Sequence, residues 1–88
     1  MKTHRLKTES KYFEAVVNSQ KNFEVRKNDR GFRASNTVYL DETIADGLPA
    51  GRTYGPLVIT YILEGEEARR FGLAKGYCIF SWKGERAR

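Results

Sequence analysis

Lys21, Glu24 and Arg26 are the residues of this 88-residue chain best placed to do chemistry. They lie in the stretch SQKNFEVRKNDRGF over 19–32, which also carries Lys27, Asp29 and Arg30, with Arg33 just beyond. Phe23 and Val25 alternate with Glu24 and Arg26, the period of a half-buried strand. Such a strand is expected to hide Phe23 and Val25 and to hold Glu24 and Arg26 together on its other face. That face either grips an anionic ligand or is a solvated ladder of charge pairs. In the first case Lys21 clamps a phosphate or, if desolvated, serves as a base with a lowered pKa. Arg26 then holds a phosphate bidentately, and Glu24 accepts from a base edge and orients Lys21 or Arg26. In the second case Glu24 pairs with Arg26, Lys21 or Lys7 and the set is structural. Lys21 and Glu24 are the candidates for catalysis if there is any.

Other residues join the candidate list from outside this trio. Lys7 can add to the neutralisation of a phosphate. Asn28 and Asp29 read as an Asx-type turn, from which Lys27 and Arg30 can reach phosphates. Among the aromatic residues, Tyr61 and Tyr77 are the two singled out for base stacking, against a core role for most of the rest. His4 is the one histidine and has no neighbouring ligands at metal spacing, so no metal site is expected. No Ser-His-Asp set, phosphate loop or dinucleotide fingerprint is present, and no cofactor is expected.

The elements that must position these residues follow from periodicity and turn chemistry. A short strand over 3–7 precedes a helix in which Tyr12, Phe13, Val16 and Val17 form one stripe. Thr8 or Ser10 is a suitable helix cap. Strands are expected over 23–27, 37–42, 57–63 and 77–82. The run LVITYIL over 57–63, apolar on both faces, reads as a central strand. Residues 45–55, with Gly47, Pro49, Gly51 and Gly55, read as a loop. A short helical turn is expected around 66–71, and a loose tail over 83–88. One helix cannot cover both faces of a sheet, so five short strands are expected to curl into a barrel plugged by that helix.

Composition sets the bounds. A chain of 88 residues makes a single domain over 1–88, burying roughly 60–65% of its unfolded surface. A net charge of +5, unevenly placed, favours a polyanionic partner, with nucleic acid first. Cys78 is alone and lies in an apolar run, which suits a small buried hydrophobe. No apolar run reaches the ~18 residues of a membrane span and the first residues lack a signal peptide's apolar region. A cytoplasmic protein with no membrane partner is expected; the oligomeric state is left open.

HRLKT at the start, YFEAV on the helix, KNFEVRKNDRGF, the strand ending YIL and then FGLAKGY together resemble a group of small bacterial and phage proteins of unknown function in the ASCH superfamily. The hallmark there is G-x-K-x-x-E-x-R, met by Lys21, Glu24 and Arg26, with Ser19 in place of the glycine. A V-G-D turn common after the hallmark is Ala34-Ser35-Asn36 here. The resemblance implies a mainly β, α+β fold: a small PUA-like five-stranded β-barrel with one main helix after the first strand and a cleft lined by the hallmark residues. It implies RNA binding or action on modified nucleobases. One branch hydrolyses an acylated cytidine with a lysine at the position of Lys21 and a threonine nucleophile at that of Glu24. A carboxylate there can act as a base but not as that hydroxyl nucleophile. The expected function is thus an RNA- or nucleotide-binding module built around K-x-x-E-x-R. The alternatives are a small hydrolase or ribonuclease, or a non-catalytic interaction module of a mobile element.

Overall fold

The computed structural model describes residues 2–83. The chain runs β1 (Thr3–Glu9), α1 (Ser10–Val17), β2 (Phe23–Lys27), β3 (Thr37–Thr43), a 3-10 turn (Ala45–Gly47), β4 (Pro49–Val58), β5 (Tyr61–Leu63), α2 (Gly65–Arg70) and β6 (Tyr77–Ser81). All but residue 83 of the expected tail lies outside the described residues.

These strands form two three-stranded sheets, ordered β1-β3-β4 and β2-β6-β5. The expected closed five-stranded barrel is therefore not the fold; the protein is a mixed α+β domain with six strands in two open sheets. Residues Ile59 and Thr60 are the physical reason. LVITYIL is not one strand but the end of β4, a corner, and β5. At that corner the Ile59 amide bonds the Asn36 carbonyl beside the first sheet, while the Thr60 amide bonds the Ser81 carbonyl of the second. The chain changes sheets here instead of continuing one ladder around a barrel. Neither β4 nor β5 is central; the middle strands are β3 and β6.

The stretch expected as a loop is largely β4. Its Gly and Pro residues are compatible with a strand because β4 is an edge, where a missing N–H costs no ladder bond. Gly55 has φ of 149°, and a Cβ on it would meet Tyr39 Cδ1 at 2.8 Å and the Val38 carbonyl at 2.9 Å. Glycine is what lets β4 lie against β3 at that irregular step in their register.

The helix stripe is seen in α1, where Phe13 and Val16 are buried. Neither expected cap is made: no side chain caps the helix, Thr8 Oγ1 donates to the Leu6 carbonyl, and Ser10 Oγ donates to the Thr43 carbonyl, at 3.1 Å. One core gathers Leu6, Phe13, Val16, Val38, Leu40, Leu57, Cys78 and Phe80 from α1 and both sheets. Cys78 is fully buried, and burial pushes its thiol up to about 11, so it packs as a neutral hydrophobe. His4 is also buried, bonding Asn36 Oδ1 through Nε2 at 2.9 Å and packing its ring on Phe32. No helix among the described residues is long and apolar enough to cross a membrane.

Candidate functional site

The strand β2 keeps the expected alternation but turns it over. Glu24 is the buried residue, 4% exposed, while Phe23 and Val25 are 44% and 49% exposed. Period 2 decides which residues share a face but not which face is inside. Register against β6 settles it: Glu24 stands opposite Phe80 and Arg26 opposite Cys78, both fully buried, so the ionic face of β2 points toward the core.

A carboxylate at that depth requires partners, since an isolated buried charge costs several kcal/mol. Glu24 has two. Arg26 Nε donates to Glu24 Oε1 at 2.8 Å, and the Lys21 ammonium bonds Glu24 Oε2. Each cation is fixed by further bonds. Lys21 Nζ also donates to the Phe23 carbonyl at 2.7 Å. Arg26 Nη2 donates to the Lys7 carbonyl at 2.9 Å and to Thr8 Oγ1 at 3.4 Å, tying β2 to the end of β1. Lys21 reaches this place because the chain turns sharply after α1: Ser19 has φ of 59°, and the Gln20 and Lys21 amides both bond the Ala15 carbonyl.

These side chains line a cleft of about 700 Å³, shared by Lys7, Thr8 and Glu9 of β1, Tyr12 of α1, Lys21, the first four residues of β2 and Thr43. Three cations face two carboxylates in it, so the wall is positive overall. Donors remain unspent. Lys21 uses two of its three N–H bonds, and Arg26 Nη1 has no partner among the described residues. Two fixed cations with free N–H groups beside a cleft of this size can hold an anionic group such as a phosphate or a carboxylate.

Of the eight residues singled out from the sequence, Lys7, Lys21, Glu24 and Arg26 come together at this cleft. The other four do not. Lys27 and Tyr77 are cross-strand partners on the outward face of the second sheet, and Tyr61 is on that same face. Arg30 donates from Nη1 to the Arg5 carbonyl at 2.8 Å, away from the cleft. In place of the expected Asx-type turn, Asn28 Oδ1 accepts the amide of Phe32, four residues on rather than two, at 3.0 Å. Sequence reading missed Tyr12 and Thr8. Tyr12, whose ring lies 5.7 Å from the Lys21 ammonium, was absorbed into the apolar stripe of the helix. Thr8, which accepts from Arg26, was read as a possible helix cap.

A small α+β domain with an ion-lined cleft beside its first strand is the class of protein this geometry defines. The chain belongs to the DUF3850 family, a domain of unknown function, whose model matches residues 3–82. The expected ASCH membership is corrected by this match, together with the two open sheets in place of the PUA-like barrel it implied. No curated protein matches the chain.

Proposed function

We propose that the cleft is a recognition site for the phosphate of a nucleotide or of RNA. The observation that carries this reading is the pairing of two cations on one buried carboxylate, with N–H groups left over at the cleft. A buried ion cluster contributes little net stability compared with apolar residues of the same volume. Holding Lys21 and Arg26 in a fixed geometry with a surplus of positive charge suits binding better than it suits packing. Tyr12 and Phe23 beside the cations supply flat apolar surface for a base. The net charge of +5 draws polyanions toward the domain.

Calorimetric titration with a nucleoside monophosphate and with a short RNA tests the reading. Removing one charge-assisted donor set in Arg26→Ala is expected to weaken binding by roughly tenfold or more. Lys7→Ala, at an exposed position, is expected to weaken it less, and Arg52→Ala, on the first sheet, not at all. The logarithm of RNA affinity is expected to fall with that of salt by about 0.7 per phosphate held. Binding that is absent, or indifferent to both Arg26→Ala and salt, overturns the proposal.

A further inference from the structure

The outward face of the second sheet is left bare by the fold. In antiparallel register, Phe23 and Tyr61 both stand opposite Ser81, Val25 and Leu63 flank Ile79, and Lys27 pairs with Tyr77. Partners across a ladder share a face, so these eight residues form one surface. Tyr61 is 62% exposed and Tyr77 40%, alongside the already exposed Phe23 and Val25. The opposite face of the same strands carries Glu24, Cys78 and Phe80 into the core, so this outward set is not a core in waiting.

We infer that this face is a stacking platform for single-stranded nucleic acid. The inference rests on the reading of the cleft as a phosphate site, because Phe23 and Val25 line both surfaces and a strand leaving the cleft runs onto the platform. Three features select the occupant. The rings of Phe23, Tyr61 and Tyr77 offer flat apolar area that stacks any base. Positive charges outnumber negative ones at the edges: Lys27 at the Tyr77 end, exposed Lys83 two residues beyond Ser81 at the other, and the Lys21 ammonium 5.1 Å from the Phe23 ring centre, against Glu64 beside Leu63, which accepts from Asn28 Nδ2 at 2.9 Å. None of the eight face residues is acidic. A second copy of the chain would bring like charges together, and a duplex has no free base faces to offer. An unpaired polyanion with flat apolar units fits both the rings and the charges.

The test compares uridine monophosphate, a short oligouridylate, the corresponding oligothymidylate and a duplex, binding to wild type, Tyr61→Ala, Tyr77→Ala and Arg26→Ala at fixed low salt. The single strands are expected to bind more tightly than the mononucleotide and the duplex. Each tyrosine variant is expected to lose roughly tenfold in oligonucleotide affinity and nothing in mononucleotide affinity, while Tyr61→Phe keeps the wild-type value. Oligonucleotide affinity unchanged by both tyrosine variants overturns the platform and leaves the cleft reading standing. Oligonucleotide binding that needs Tyr61 and Tyr77 but ignores Arg26→Ala keeps the platform and removes the cleft. A protein dimer dissolved by Tyr61→Ala, with no oligonucleotide bound, overturns the inference in favour of self-association, and loss of all binding overturns both readings.

Discussion

Among the described residues, two three-member ion clusters have opposite arithmetic. On the first sheet, Arg52 donates from Nε and Nη2 to both oxygens of the buried Glu42, at 2.7 and 2.9 Å, and Nη2 also bonds Glu14 of α1. One cation there is shared by two carboxylates. Beside the second sheet, the buried Glu24 is shared by two cations, Lys21 and Arg26. The first cluster presents a negative surplus, so an anion approaching Arg52 meets two carboxylates. The second presents a positive surplus and unspent N–H groups at a cleft. Salt bridges of similar appearance thus leave opposite charges over, and the count of charges, with the burial of the shared member, tells them apart.

Removing the central acid of the cleft cluster breaks the comparison most severely. Glu24→Ala leaves two partly buried cations without their anion and is expected to cost about 2–4 kcal/mol. The outer acid of the other cluster is half-exposed, and Glu14→Ala is expected to cost no more than about 0.5 kcal/mol. Urea unfolding of the two variants checks both values; equal losses would mean that the clusters are of one kind.

Gly55→Ala separates the frame from the site. The new methyl meets Tyr39 and the Val38 carbonyl, and a loss of about 2–3 kcal/mol in unfolding free energy is expected. Mononucleotide affinity of the folded protein is expected to stay unchanged, because the cleft is lined from β1, α1, the connection carrying Lys21 and β2, with a single residue, Thr43, from the β3 end.

Acid gives the smallest effect. Hydrogen bonds from Arg52 hold Glu42 below its ordinary value of 4.5, and those from Arg5 hold Asp41 below 3.8. A carboxylate whose folded pKa is depressed adds stability above its unfolded pKa and loses it as pH falls through the folded one. Stability is therefore expected to decline from about pH 4.5 downward, and Glu42→Gln to decline less steeply. Unfolding midpoints taken across that range would read it; identical slopes in the two proteins would exclude Arg52 as the cause.

Much of this was legible in the sequence, and the parts that were not fail for physical reasons. The stripe Tyr12, Phe13, Val16, Val17 specifies α1 because a 3.6-residue repeat has few other solutions. Lys21, Glu24 and Arg26 could be grouped because they lie within six residues, and they do meet. Their side of the strand could not be read: apolar residues are placed inward by default, but Phe23 and Val25 share the outward face with Tyr61, Tyr77 and Ile79, which come from far along the chain. The Gly and Pro residues of β4 looked like loop because edge strands tolerate what central strands do not. The corner at Ile59 and Thr60 hides inside an unbroken apolar run, and without it two sheets look like one barrel.

Backbone amide shifts followed by NMR while a nucleoside monophosphate is added test the central claim most directly. The account predicts saturable shifts concentrated at Lys7, Thr8, Tyr12 and the residues from Lys21 to Arg26, with Arg5, Asp41, Glu42 and Arg52 unmoved. Shifts centred on the Arg52 cluster, or none at concentrations that saturate phosphate sites of this kind, would contradict it.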